Sequence, residues 1–324
     1  MTLRALLGRA TLAASLAVAT GGVSSPAALA AAPQVKTQAP GFYRMMLGDF
    51  ELTVLCDGTV PQEEEKLLTN TKPEHVTALL AAAKLASPVE TSINAYLLNT
   101  GTQLVLVDTG AGELFGPVAG HLVTQLRAAG YQPEQVDAVL LTHIHGDHSG
   151  GLTVGGKPVF PNAVVYADKH EADYWLTPAN AQKAQEQHKF MFPQASAALA
   201  PYVSAGKLKR FEGPTELMPG IRTLATPGHT PGHSFYVAES QGQKVVFWGD
   251  IMHVAAVQFP EPQVTIQYDT DSKAAAAQRA KAYADAAKQG YLVAVAHISF
   301  PGLGHVKAQG KGYTWLPVNY GITH

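Results

Sequence analysis

Three histidines and one aspartate fall within six positions of the stretch LTHIHGDHSGG, directly after an apolar run. His143 and His145 are two residues apart, so an extended backbone projects both side chains to the same side. Asp147 and His148 lie on the turn that follows and point elsewhere, which lets one loop fill two adjacent sites. Imidazole and carboxylate are ligands for Zn²⁺, Mn²⁺, Fe²⁺ or Co²⁺, and ordinary turn chemistry does not require this combination. The stretch therefore predicts a metal site.

Three further polar residues end apolar runs elsewhere in the chain. They are His229 in TPGHTPGH, Asp250 in VVFWGD and His297 in VAVAHIS. Taken singly, each has an ordinary explanation as a turn residue, a cap or a buried histidine. Strand ends on one edge of a sheet converge, however, and together with the loop they supply seven ligands. Two metal ions need that number when one carboxylate bridges them.

The segments that must position these residues alternate between short β-rich runs and amphipathic helices. Strands are predicted at FELTVLCDG, NAYLLNT, QLVLVDTG, VDAVLLTH, AVVYAD, IRTLATPGH, SFYVAES, KVVFWGD and YLVAVAH. Helices are predicted over 114–129, over 169–199 with breaks at Pro178 and Pro193, and over 272–289. Strand runs recur on both sides of a midpoint near Gly220. The pattern predicts a single α/β domain built as a four-layer αββα sandwich.

The N-terminal thirty residues have the pattern of a secretory signal peptide. Arg4 and Arg9 precede a small, apolar stretch, and residues 28–30 offer an A-x-A cleavage site. The apolar stretch is too short and too interrupted for a membrane anchor. We therefore expect a signal peptide over 1–30, an N-terminal arm over 31–49 and the globular domain over 50–324. The mature protein is expected to be periplasmic or secreted.

The composition excludes several classes of protein. A chain of 324 residues with 46% hydrophobic residues can build a large core. The formal net charge of −2 leaves no basic field for nucleic acid. The one cysteine, Cys56, excludes an internal disulfide framework and is expected to be a buried residue after a strand. A serine hydrolase is also excluded, because the sequence has no G-x-S-x-G elbow.

The order of the motifs, H-x-H-x-D-H, PGHTPGH, GD and a late histidine, with LVLVDTG upstream, resembles the metallo-β-lactamase superfamily of hydrolases. The resemblance implies two divalent ions per chain, with zinc preferred and manganese, iron or cobalt as alternatives. It implies one ion on His143, His145 and His229, another on Asp147, His148 and His297, and Asp250 as the bridge. GFYRMMLGDFELTVLCDGTV, YQPEQVDAVLLTH, HVAAVQF and GKGYTWLPVNY are similar to the methyl parathion hydrolase group and its lactone- and aryl-ester-hydrolysing relatives, which are exported homodimers.

Asp250 distinguishes between branches of that superfamily. The true β-lactamases lack a bridging carboxylate at this place, so the chain resembles the dinuclear hydrolases instead. The nucleases need an inserted clamp domain or a basic RNA-binding surface, and the near-neutral charge disfavours them. Asp250 is also the expected proton carrier after attack on the substrate.

His253, three residues after Asp250, is the second candidate catalytic residue. Superfamily lactonases often place a tyrosine near this position, and the resemblance places a leucine there in dedicated methyl parathion hydrolases. His253 could polarise or fit the substrate, or could be a polar residue behind the ligands. Ile266 and Tyr268 also stand where smaller residues are usual in those enzymes. These differences favour a lactone or an aryl ester as substrate.

Other residues are assigned to the surroundings of the metals. Phe115, Trp175 and Phe192 fall in segments that would rim the cleft, where an aromatic wall suits a flat, apolar substrate; core packing is the alternative for each. Asp108 in VDTG is expected to fix the tautomer of a metal-binding imidazole. His233 and His305 are assigned structural roles.

The sequence thus predicts an exported, dinuclear hydrolase of lactones and aryl esters, such as dihydrocoumarin, with organophosphate triester hydrolysis as a secondary activity. One alternative is a dedicated methyl parathion hydrolase. Another is a thioester hydrolase like glyoxalase II, although no Lys/Arg cluster near the C-terminus would bind the carboxylates of glutathione. A metal-storing or ligand-binding module on an inactive scaffold is the third, and it has no need for a bridging carboxylate. The expected partners are small apolar or aromatic esters, lactones or phosphotriesters and a second copy of the chain.

Overall fold

The computed structural model of the protein describes residues 32–322. The expected signal peptide, residues 1–30, lies outside the described residues. The described residues fall into two units, 32–38 and 39–322. Within the first unit, the described residues 32–38 are exposed and form neither helix nor strand. The second unit carries all the helices and strands described below.

The strands and α-helices follow one another along the second unit. The strands are β1 (Phe42–Leu47), β2 (Phe50–Gln62), β3 (Leu68–Thr69), β4 (Val89–Asn99), β5 (Leu104–Val107), β6 (Ala138–Leu140), β7 (Thr153–Val154), β8 (Lys157–Pro158), β9 (Val164–Asp168), β10 (Leu208–Phe211), β11 (Glu216–Met218), β12 (Ile221–Ala225), β13 (Ser234–Ser240), β14 (Gln243–Phe247), β15 (Thr265–Ile266), β16 (Leu292–Ala294), β17 (Leu303–Gln309) and β18 (Gly312–Pro317). The helices are α1 (Glu64–Leu67), α2 (Pro73–Ala82), α3 (Leu122–Ala128), α4 (Gly146–Ser149), α5 (Lys169–Trp175), α6 (Pro178–Lys183), α7 (Met191–Ser204), α8 (Ala255–Gln258) and α9 (Ser272–Gln289).

Two seven-stranded sheets form the centre of this unit. The first has the order β1-β2-β4-β5-β6-β9-β10 and the second the order β11-β12-β13-β14-β16-β17-β18. The division between them falls between Phe211 and Glu216, close to the predicted midpoint. Each sheet contains a parallel part, β5-β6-β9-β10 in the first and β14-β16 in the second.

Alternating side chains pack the sheets on both faces. In β4, Leu98 belongs to the core between the sheets, whereas Leu97 belongs to the core cluster on the outer face, which also includes residues of α3, α5 and α7. In β14, Phe247 faces the core between the sheets and Val246 faces α9 on the other side. Both faces of each sheet are therefore apolar, as a buried sheet requires. This confirms the predicted αββα sandwich.

The N-terminal boundary of the domain differs from the expectation. Residues 42–47 of the expected arm form β1, which pairs antiparallel with β2 along its whole length. A two-residue turn at Gly48 and Asp49 joins the strands, and Gly48 has a φ of 60°, which such hairpin turns need. Cys56 also differs, because it lies half-buried inside β2 beside a shift in register.

Two predicted helices are shorter or divided. The helix expected over 114–129 begins only at Leu122, because Pro117 and glycines with positive φ at 116 and 120 interrupt the segment before it. The helical stretch 169–199 contains the three helices α5, α6 and α7. Pro178 begins α6 rather than breaking a helix. Pro193 lies in the first turn of α7, where backbone N–H groups have no acceptor within the helix, so proline breaks no helical hydrogen bond there.

The C-terminal segment adds a hairpin that the sequence patterns did not predict. Strands β17 and β18 pair antiparallel from Gly304 to Pro317 and complete the second sheet. No helix among residues 32–322 has both the length and the hydrophobicity needed to cross a membrane.

Helix α9 has the predicted bounds, and its ends show why. Asp271 accepts a hydrogen bond from the Ala274 backbone at the N-terminus, and Gly290 ends the helix in the left-handed conformation. Arg279 is fully buried on the inward face of the helix. Its guanidinium donates to the carbonyl oxygens of Ile251, at 2.6 Å, Pro262 and Val264. Arg279 therefore ties α9 to residues 251–264.

Replacing Arg279 should destabilise the domain. Arg279→Met removes the donors to three carbonyl oxygens, and we expect a loss of about 3 kcal/mol in the free energy of unfolding. The matched control is Lys281→Met on the exposed face of the same helix, which should change stability by less than about 0.5 kcal/mol. Urea denaturation of both variants measures the difference, and equal stability would contradict this role for Arg279.

Candidate metal centre

The loop after β6 presents the first four predicted ligands. His143 and His145 lie on the extended backbone that continues β6, and Asp147 and His148 lie on α4, which begins at Gly146. The end of this segment lies very close to the loop after β5. A Cβ atom on Gly151 would lie only 1.9 Å from the Thr109 carbonyl oxygen. Glycine is thus required for this approach.

The other three ligands arrive from the second sheet. His229 lies in the loop between β12 and β13, Asp250 in a short 3-10 turn after β14, and His297 shortly after β16. Strands β14 and β16 are parallel neighbours, so Asp250 and His297 leave the sheet at the same edge. The edge of the second sheet therefore meets the His143 loop, as the sequence predicts.

The seven residues form two groups that share Asp250. The first group contains His143, His145, His229 and Asp250, and the second contains Asp147, His148, Asp250 and His297. Within each group the possible ligand atoms lie within 4.8 Å of one another. Asp250 Oδ1 is 3.0 Å from His148 Nε2, and Asp250 Oδ2 is 3.3 Å from His229 Nε2. One carboxylate thus faces both groups.

The electrostatics of the site suit cation binding. Burial, and then the charge of His148, hold the pKa of His143 well below its usual value, which keeps this imidazole neutral. Burial alone would raise the pKa of Asp250, but the charges of His148 and His297 outweigh burial and hold that pKa well below its usual value. The centre therefore combines an ionised carboxylate with a neutral imidazole that can act as a ligand.

Unpaired polar atoms test directly whether the site fits metal ions. The Nε2 atoms of His143, His145 and His148 and Oδ1 of Asp250 are buried and make no hydrogen bond of acceptable geometry with the described residues. Leaving several such atoms unpaired is costly, and buried polar groups normally have partners. Divalent cations would satisfy all four. The His/Asp residues are therefore positioned to bind a pair of divalent metal ions.

Partners behind the imidazoles turn their Nε2 atoms toward the centre. The Nδ1 atoms of three ligands have such partners: His148 at 2.9 Å from Asp108 Oδ2, His229 at 2.9 Å from Asp269 Oδ1 and His297 at 2.9 Å from the Ser92 carbonyl oxygen. Asp108 thus lies where the sequence analysis expected an orienting carboxylate. Asp269 was not predicted, since neither its spacing nor its neighbours mark it in the sequence.

Two more histidines contact Asp250. His253 Nε2 lies 3.1 Å from Asp250 Oδ2, and its ring stacks on His297 with the centroids 5.2 Å apart. His233 accepts a hydrogen bond from the Asp250 backbone through Nε2, at 3.1 Å, while its Nδ1 lies 2.8 Å from the Thr226 hydroxyl. His233 therefore positions the shared carboxylate. The second PGH of TPGHTPGH was the signal that could have found it.

Comparison with known proteins agrees with this geometry. The family profile of the metallo-beta-lactamase superfamily matches residues 88–297, which include all seven residues of the two groups. The chain belongs to the metallo-β-lactamase superfamily. An N-acyl homoserine lactonase from Bacillus sp is 31% identical over 165 residues, which cover 45% of this chain and 58% of the lactonase. The alignment therefore spans less than two thirds of that relative.

Solved structures of superfamily members resemble the chain over most of its length. The hydrolase AbOPH is 37% identical with a TM-score of 0.84, covering 88% of this chain and 100% of that structure. AidC, a dizinc quorum-quenching lactonase, is 28% identical with a TM-score of 0.81, covering 86% of this chain and 98% of that structure. The chain is thus similar over most of its length to a hydrolase and a lactonase of known structure.

A cavity of about 220 Å³ opens onto the two His/Asp groups. Its floor contains His145, Asp147, Asp250 and His297, and its walls contain Gln62, Phe115, Phe190, Met191, Gln194, His253 and Tyr268. Three of the residues expected to contact substrate, Phe115, His253 and Tyr268, therefore line the cavity. Phe190 is 55% exposed at the mouth and was not predicted.

Three other expected contact residues do not line the cavity. Trp175 and Phe192 are buried in the core beneath the first sheet, with their ring centroids 4.7 Å apart, and Trp175 lies edge-on to His145. Ile266 is fully buried against Val257 and Val264. Trp175 and Phe192 therefore pack in the core, which was the alternative interpretation for both residues. The start of α7 turns Phe192 inward and leaves Phe190 and Met191 at the cavity.

A buried carboxylate holds the loop that carries Phe115. Asp57, in β2, accepts backbone hydrogen bonds from Ala111, Gly120 and Leu122, each at 2.9 Å. These three donors lie on both sides of Phe115, so one side chain fixes both ends of the loop. Such a carboxylate can be buried because its oxygens are fully paired.

Removing the Asp57 carboxylate should loosen this loop. Asp57→Ala leaves three backbone donors without an acceptor, and we expect the free energy of unfolding to fall by about 3 kcal/mol or more. The control Glu134→Ala removes an exposed carboxylate and should change it by less than about 0.5 kcal/mol. Hydrogen exchange of the amides of residues 109–122 should speed up in Asp57→Ala, and unchanged protection there would refute the anchoring role.

Proposed function

We propose that the protein hydrolyses lactones and aryl esters with a pair of divalent metal ions, with organophosphate triesters as secondary substrates. The observation that carries the proposal is the two ligand groups sharing Asp250 at the floor of a small cavity with one apolar side. The lactonase relatives support the choice of lactones. Zinc is the proposed metal, and export and homodimeric assembly are proposed with it from the family resemblance.

The residues of the two groups would hold one ion each, with Asp250 between them. When bound, such a pair lowers the pKa of a water molecule and polarises the carbonyl or phosphoryl oxygen of a substrate. In this proposal, Asp250 accepts the proton that the attacking water loses. His253, whose Nε2 lies 3.1 Å from Asp250 Oδ2, then takes this proton and passes it to the departing oxygen as the ester bond breaks.

The cavity walls suit a compact, apolar substrate. Phe115, Phe190 and Met191 form an apolar side, whereas Gln62, Gln194 and Tyr268 offer polar contacts. A volume of about 220 Å³ accommodates a small lactone ring or an aryl ester better than a large substrate. Leu114 and Phe190 are exposed by 40% and 55% near the mouth and extend the apolar surface outward. A pendant acyl chain could lie there.

A substrate panel tests this proposal. Metal-replete enzyme should hydrolyse dihydrocoumarin and an aryl acetate faster, in kcat/KM, than methyl parathion, and an N-acyl homoserine lactone and a glutathione thioester complete the panel. Chelation should abolish every activity, and added zinc or manganese should restore it. Methyl parathion as the best substrate would favour a dedicated phosphotriesterase, and the thioester as the best substrate would favour a thioesterase. Activity that survives chelation would rule out metal-dependent hydrolysis.

Substituting His253 tests the choice of substrate. His253→Leu removes the imidazole beside Asp250 and leaves an apolar cavity wall, so the ratio of methyl parathion to dihydrocoumarin hydrolysis should rise about tenfold. The control His305→Leu changes an exposed histidine on β17 and should leave the ratio unchanged. If His253→Leu lowers kcat/KM equally for all substrates, this residue does not select between them.

A further inference from the structure

A buried glutamate outside the seven ligands joins two of the ligand loops. Glu171 lies on α5 and is 1% exposed. Its Oε1 accepts hydrogen bonds from the Ile144 backbone, at 2.9 Å, and from the Trp175 indole, at 2.7 Å. Its Oε2 accepts a hydrogen bond from the Gly232 backbone at 2.8 Å. Both oxygens of this carboxylate are therefore paired.

The two backbone donors belong to different ligand loops. Ile144 lies between His143 and His145, whereas Gly232 lies in the loop that carries His229. A Cβ atom on Gly232 would lie 2.3 Å from the Glu171 backbone nitrogen, so glycine is needed for the loop to come this close. Glu171 thus joins the loops that supply the three histidines of the first group, and it does so beside His143 and His145 rather than at α4, where Asp147 and His148 lie.

The second ligand group is held by other partners. His148 is oriented by Asp108, and His297 by the carbonyl oxygen of Ser92 in β4. None of the three hydrogen bonds that Glu171 accepts comes from the backbone or side chain of a residue in that group. The two groups share Asp250 and the loop after β6, but Glu171 contacts that loop only at Ile144, between His143 and His145.

We propose that Glu171 is a positioning residue that sets the metal affinity of the His143, His145 and His229 group without setting that of the Asp147, His148 and His297 group. It fixes the distance between two loops that are far apart in the sequence. Partners behind metal ligands typically change metal affinity 10- to 100-fold when they are removed. The inference rests on the proposed function for the two-metal centre but requires no particular substrate.

The test is Glu171→Gln, which keeps the shape of the side chain. Its amide nitrogen is a donor, so either Gly232 or the pair Ile144 and Trp175 loses its acceptor. We expect zinc affinity to fall about 10- to 100-fold at the first group and to stay unchanged at the second. Competition with a chelating dye measures the two affinities, and anomalous scattering from crystals grown with limiting zinc measures the occupancy of each group.

Two controls accompany this variant. Glu186→Gln changes a largely exposed glutamate and should leave both affinities unchanged. Asp108→Asn changes the partner of His148 and also disturbs the hydrogen bonds from Thr142 beside His143, so it should weaken both groups, in contrast to Glu171→Gln. The thermal midpoint of the metal-free Glu171→Gln protein should change much less than the affinity, which distinguishes positioning from general destabilisation.

Equal losses at both groups, or no loss at either, would overturn the proposal. If Glu171→Gln does not fold, Trp175→Phe removes one donor to Glu171 and keeps an aromatic ring beside His145. A smaller loss confined to the first group is then expected, and an unchanged or evenly divided affinity would also overturn the proposal. Because zinc occupancy is read without substrate, these outcomes stay separate from a failure to hydrolyse lactones.

Discussion

The architecture of the site depends on one buried carboxylate placed among imidazoles. Asp250 can be ionised in the interior because histidines surround it, and the inward-facing Nε2 atoms of His143, His145 and His148 have no hydrogen bond to the described residues. A buried carboxylate without a positive partner is unfavourable, and so are buried imidazole nitrogens without hydrogen-bond partners. The mutual requirement explains why side chains from both sheets converge at this edge of the domain.

Two features of the fold position these side chains: the ends of the strands, and carboxylates from other parts of the sequence. Parallel neighbours β14 and β16 deliver Asp250 and His297 to one edge, while the loop after β6 crosses from the first sheet. Asp108, Glu171 and Asp269 then fix the loops and rings behind the ligands. The surrounding sandwich provides the rigidity, and these polar contacts set the distances between ligands.

The sequence marks the candidate ligands and Asp108 but not the other side chains that support them. Polar residues that end apolar runs are conspicuous in a sequence, and helix α9 is marked at both ends by Asp271 and Gly290. Glu171, Asp269 and Asp57 carry no such mark, because their roles arise from contacts between segments distant in the chain. Trp175 and Phe192 were assigned to the cavity because sequence position near a cleft does not reveal which face of a helix points inward. The hairpin of β1 and β2 depended on the short turn at Gly48.

The two sides of the cavity differ in how firmly they are built. The Phe115 side is anchored through Asp57, whereas Phe190 and Met191 stand at the start of α7, where their apolar side chains make none of the hydrogen bonds that hold the metal ligands. Met191 is buried in the core, but Phe190 is 55% exposed, so substitutions of Phe190 can accumulate without disturbing the two ligand groups. Phe190 thus gives the scaffold a permissive position at which evolution can alter what the cavity accepts while the ligand residues are preserved.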